Sequence, residues 1–226
     1  GRGRAPDARR KARLIASGVI PAQPVGHVYA WGFLVLLTES HGVLGLAPFQ
    51  TFFLDGVLSL AAGTTSMSSG LFVDMFQHRT GHILWLAMVL MGVGYLLVGM
   101  SPTYAVIVLS IMVASAGGAL WPPPALALLS HMYPDRRGLR LAMHRSSGNI
   151  GEAISPIIVW ALLLTLSWRG VVSAGVPVIA VIAVLIFVFM RNVGGAKPEP
   201  DKASFRYNFQ RKGPPLAEAM RSRGML

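Results

Sequence analysis

Long apolar runs, each of roughly 18 or more residues and bounded by charged loops, constrain this chain more than any other feature. A run of that length crosses the roughly 30 Å hydrocarbon layer of a bilayer only as a helix, because backbone polar groups there must satisfy one another. The bulk numbers agree: 53% of residues are hydrophobic and 13% charged, against about 25% charged in ordinary soluble domains. The expectation is an all-α membrane protein with six transmembrane helices. The spans are expected at about 28–50, 53–73, 83–100, 104–132, 139–166 and 171–190. They form a transmembrane unit over 28–190, between a basic, poorly ordered tail at 1–27 and a basic tail or loop at 191–226.

The charge distribution orients the bundle. Six spans put both tails on one side, and 18 of the 20 Lys and Arg lie in those tails or in the loops on that side. Positive charge collects on the cytoplasmic face, so both termini are expected to be cytoplasmic, in a bacterial inner (plasma) membrane. The net charge of +11 is therefore read as topology, and no nucleic-acid partner is expected. There is no cysteine, which removes disulfides and thiolate metal sites. No His/Glu pair has the i, i+3 or i+4 spacing that suits a metal on a helix, so neither metal nor cofactor is expected. The chain opens on Gly1 with no Met before Met67, which reads as a fragment or processed chain.

The most informative stretch is Tyr133 to Pro156, YPDRRGLRLAMHRSSGNIGEAISP. Nothing from Leu139 to Leu166 is strong enough to stop a helix. Arg145, Asn149 and Glu152 stand at i, i+4 and i+7 and share one face, with His144 and Gly148 at its edge. An ionisable residue within a bilayer marks a functional site, because burying it uncompensated costs several kcal/mol. Glu39, beside His41, stands in the same position in the first span. Gly148 and Gly151 also allow close helix packing.

Two loops carry a family resemblance. Gly70-Leu-Phe-Val-Asp74, followed after Met75–His78 by Arg79-Thr80-Gly81-His82, resembles the loop between spans two and three of the major facilitator superfamily. The proline-rich fourth span, the Tyr133–Gly138 loop, the run His144-x-x-x-Gly148-Asn149-x-Gly151-Glu152 and Ser167-Trp168-Arg169 resemble its fosmidomycin-resistance-type branch. Arg145 departs from that branch, which has a small residue there. The resemblance covers roughly residues 28–192. It implies half of a twelve-span transporter, the N-terminal six-helix half, built as a 3+3 inverted repeat.

The same resemblance implies a function: movement of a small solute by alternating access, proton-coupled, and without enzymatic chemistry. By that resemblance Glu39, His144, Arg145, Asn149 and Glu152 belong to the solute and proton pathway. Gly70, Asp74, Arg79 and Gly81 would form a conformational latch at the cytoplasmic face. A second half-transporter or a second copy of the chain would complete the pore. Two other readings compete: a truncated, non-transporting six-helix protein that acts as an assembly partner, and an intramembrane enzyme. The enzyme needs a serine within reach of a histidine, and Ser66, Ser68 and Ser69 have no histidine facing them from span six.

Overall fold

The structure, a computed structural model, describes residues 4–38 and 45–193. Glu39 and His41 lie outside the described residues, as does most of the C-terminal tail. Helix α1 spans Arg4–Thr38, α2 Pro48–Met75, α3 Thr80–Met100, α4 Tyr104–Leu120, α5 Pro122–Met132, α6 Arg137–Leu163, α7 Trp168–Ala174 and α8 Val176–Met190. Short 3-10 turns at Gln77–Arg79 and Pro134–Arg136 precede α3 and α6. Among the described residues there is no strand. The fold is all-α, as expected.

The element boundaries correct the expectation at the N-terminus. The helix begins at Arg4, so residues 4–27 are helical where a poorly ordered tail was expected. The part of α1 apolar enough to cross a membrane is Gly18–Leu37, about ten residues ahead of the expected span. Pro21 and Pro24 suggested a broken segment, yet both are inside the helix. Three further segments have the length and apolarity to cross: Gln77–Met100, Tyr104–Met132 and Trp168–Met190. Helices α2 and α6, of 28 and 27 residues, are long enough at 1.5 Å per residue. Small and polar residues dilute their apolar content, and several of the polar ones, Thr64, Ser68, Ser146 and Asn149 among them, are exposed.

Helix α1 packs most extensively on α6, α2 on α4, and α3 on α4 and α8. Exchanging the first three spans with the last three maps the α1–α6 contact onto α4–α2 and leaves α3–α8 unchanged, which is the symmetry of a 3+3 repeat. The α3–α4 contact departs from it, since its counterpart between α8 and α1 is slight. Seams close where side chains are small. A Cβ added at Gly94 would overlap the Ala114 backbone, and one at Gly117 would press on the backbone of Met91 and Ala87. Helix–helix association in lipid relies on such close approach, since apolar burial offers little driving force there. The outer faces carry Phe49, Phe52, Trp160, Val181 and Phe189, all exposed, as a lipid-facing surface requires.

Two breaks in the long spans have identifiable causes. Pro122, Pro123 and Pro124 remove the N–H groups that would reach the carbonyls of Gly118, Ala119 and Leu120, which divides α4 from α5 at Trp121. Gly175 divides α7 from α8, where a side chain would occupy the position of the Tyr29 hydroxyl. On the face opposite the basic loops, Arg169 Nη2 donates to the Ser101 carbonyl at 2.7 Å and its guanidinium lies over the Trp168 ring. That ties together the two turns of this face and accounts for the cation placed there.

Gly94→Val should prevent recovery of folded, monodisperse protein in detergent. Gly63→Val, at a position with no atom within 4 Å of an added Cβ, should leave yield and melting temperature unchanged. Size-exclusion chromatography and a thermal melt on the two variants provide the check.

Candidate functional site

The α1–α6 seam is built by a stripe on α6: His144, Gly148, Gly151, Ser155 and Val159 are its buried residues. At Gly151 the approach to α1 is so close that a Cβ would overlap the backbone of Pro24. Pro24 has no N–H to offer the Ile20 carbonyl four residues earlier. Helix α6 brings a donor to it: Ser147 Oγ stands 3.1 Å from that carbonyl and 2.7 Å from the His144 carbonyl of its own helix, and its one proton is shared between them. Two turns on, Ser155 Oγ donates to the Val28 carbonyl at 2.9 Å. A helix interrupted by proline persists here because its neighbour re-satisfies the backbone.

Within this seam lies a close acid–base contact. His27 Nδ1 meets Glu152 Oε1 at 2.6 Å, and Gln23 Nε2 donates to His27 Nε2 at 2.8 Å. With Nε2 accepting, the imidazole carries its proton on Nδ1 and donates it to the carboxylate. Gly148 makes the room: a Cβ there would stand 3.0 Å from the His27 ring. The pair is partly screened, its side chains 26% and 31% exposed. Pro156 removes the N–H that would reach the Glu152 backbone carbonyl, which adds a further acceptor at this level of α6.

The seam opens beside a cavity of about 300 Å³. Its wall includes Gln23, His27 and Trp31 of α1, Leu58 and Ser66 of α2, Met88, Met91 and Tyr95 of α3, Ser115 of α4, Trp121 at the break, and Arg145 of α6. A second cavity of about 380 Å³, between α1, α6, α7 and α8, is almost wholly apolar, with Tyr29 and Tyr95 in its wall.

The structure separates the residues that the sequence grouped together. Arg145 lines the more polar of the two cavities. Glu152 sits behind it, held by His27. Asn149 is exposed and lines neither cavity. His144 is 1% exposed and sealed in the seam, both ring nitrogens without a partner among the described residues. Among the latch residues, Gly70 is exposed with open space around it, and Arg79 is exposed and makes no ion pair among the described side chains. The backbone of Asp74 belongs to the last turn of α2, and its side chain lies outside those described. Gly81 N donates to the Val193 carbonyl at 3.0 Å, and a Cβ on Gly81 would overlap the Met190 carbonyl, so the start of α3 is docked on the end of α8.

His27 is the residue that sequence reasoning passed over. It stands 125 positions from Glu152, so no spacing links them. The available signal was the small-residue stripe on α6, which demands a helix closely apposed to Glu152. Among the described residues no group of three or more His, Asp and Glu side chains is placed to hold a metal ion.

By sequence, the family described as the Major Facilitator Superfamily matches residues 18–225. No curated protein matches the chain. In fold, the chain is similar to a solved structure of a mutant of the peptide transporter POT in complex with sulfate. The TM-score is 0.71 at 13% identity, over 93% of this chain and 47% of that one. A structure of the POT mutant in complex with alafosfalin is similar too, with a TM-score of 0.71 at 13% identity, over 91% of this chain and 45% of the other. The chain thus spans about half the length of these transporters, and at this identity the likeness is one of fold.

Ser147→Ala should remove the donor shared by the Ile20 and His144 carbonyls and lower stability by about 1 kcal/mol. Ser146→Ala, on the exposed side of the same turn, should be neutral. Chemical denaturation of the two variants in detergent decides between them.

Proposed function

The chain belongs to the major facilitator superfamily, and from that premise we propose that it is the N-terminal six-helix half of a secondary transporter. The whole protein moves a small solute across a bacterial inner membrane by alternating access, with a second half supplied by further sequence or by a second copy. The transmembrane unit over 28–190, extended back to Gly18 by the course of α1, keeps both basic tails cytoplasmic. Among the branches of the family, the motif formed by His144, Gly148, Asn149, Gly151 and Glu152 favours the fosmidomycin-resistance type.

The observation that carries the coupling is the His27–Glu152 pair at the edge of a solute-sized cavity. A carboxylate and an imidazole in contact share their protons as one unit. A proton taken up at His27 Nε2 turns the imidazole into an imidazolium, makes its contact with Glu152 an ion pair and strengthens the attraction across the α1–α6 seam. Gln23 adapts by turning its amide, since either end can face His27 Nε2. A two-state bundle responds to such a change by shifting population between inward- and outward-open forms. Glu39 is proposed as a second protonatable group of the same pathway, and His144 and Asn149 of α6 as further members of it. Gly70, Asp74, Arg79 and Gly81 remain the proposed latch. The docking of Gly81 on the end of α8 supports a role for this corner in holding one conformation.

Reconstituted with its second half under an imposed pH gradient, the protein should accumulate at least one solute from a panel of small organic acids, amines and sugars. Glu152→Gln should abolish the response of that flux to the gradient while leaving membrane insertion intact, and an unchanged response would remove the pair from the mechanism. Asp74→Asn should slow transport with little change in solute affinity, and a pure loss of affinity would contradict the latch.

A further inference from the structure

We infer that the cavity between α1, α2, α3 and α4 takes a small organic monoanion with an apolar body, its acid group held by Arg145. This rests on the reading of that cavity as the solute site. The wall contains Arg145 and His27 and no aspartate or glutamate among the described residues. Arg145 makes no ion pair among the described residues, and Glu152 is engaged by His27. A guanidinium offers paired N–H donors that match the two oxygens of a carboxylate or phosphonate.

The remaining wall is apolar and aromatic, with Trp31, Met88, Met91 and Tyr95, so the rest of the ligand is a hydrocarbon or aromatic body. The carbonyls of Gly118 and Ala119, freed by Pro122 and Pro123, can accept an N–H or O–H carried on that body. One fixed cation matches one negative charge. A dianion would bring an uncompensated charge into a site of low dielectric, and a cation would meet a guanidinium with no carboxylate to offset it. The volume of about 300 Å³ is at the small end of ligand pockets.

The test is isothermal titration calorimetry on the full chain in detergent, with three probes of one shape: 1-naphthoate, 1-naphthamide and 1-naphthylmethylammonium. Naphthoate should bind saturably, with affinity at least tenfold above the amide and the ammonium. Arg145→Gln should weaken naphthoate at least tenfold, and Arg145→Lys should weaken it less. Arg145 is exposed, so both variants should keep the wild-type melting temperature, which is measured alongside. Equal affinity for all three probes, unaffected by Arg145→Gln, would overturn the anion assignment and leave the cavity as a solute site. Heats that never saturate for any probe, as partition into micelles gives, would overturn both the assignment and the reading of the cavity beneath it.

Discussion

The close crossing of α1 and α6 is the interaction on which the rest of the structure depends. It requires small residues on α6, because Gly151 lies against the backbone of Pro24 and Gly148 against the His27 ring. It requires hydroxyls as well, because Pro24 leaves the Ile20 carbonyl without a partner and hydrocarbon provides no water to satisfy it. Ser147 meets that need. The two requirements are linked: a bulky residue at 148 or 151 would hold the helices apart and strand both the carbonyl and the His27–Glu152 pair. The symmetry-related seam uses the same device. Ser115 Oγ donates to the Leu58 carbonyl and the Tyr104 hydroxyl to the Gln50 carbonyl, which fastens α4 to α2.

These two seams flank the polar cavity, and their chemistry sets its character. Glycine and serine seams let backbones touch, so polar groups can be satisfied by protein rather than by lipid. The acid of α6 is thereby engaged within the seam, while the cation one face over, Arg145, is left to the cavity. Each residue alone in hydrocarbon would be costly. Placed in this way, they give the half-bundle an acid–base pair next to a positive pocket. A proton and an organic anion are the two species proposed for it.

Much of this was legible in the sequence. The apolar runs and the charged loops between them specified an all-helical membrane bundle, and the α6 stripe of glycines specified close packing. Arg145, Asn149 and Glu152 do share one side of a helix, yet the structure assigns them three environments: a cavity wall, an exposed surface and a contact with α1. Helical periodicity resolves a face about 100° wide, which is too coarse to separate a cavity wall from an adjoining seam. The start of α1 was misplaced for a different reason. Pro21 and Pro24 carry a strong local signal for breakage, and the compensating donor comes from Ser147, far away in sequence. His27 was lost with it, because it falls where the tail was expected to end. Tertiary contacts that satisfy a broken helix leave no trace in local pattern.

If His27 and Glu152 hold α1 to α6 as a unit, their contributions to stability must depend on each other. A double-mutant cycle on thermal stability in detergent, with His27→Gln, Glu152→Gln and the pair, tests this most directly. Each single change should lower the melting temperature, because it leaves the remaining partner of a close polar contact uncompensated. The double variant should lose less than the two single losses combined, with a coupling of about 1 kcal/mol, the scale for contacting residues. Strict additivity of the two losses would show that the residues do not act on each other, and would contradict the pair as the centre of the site.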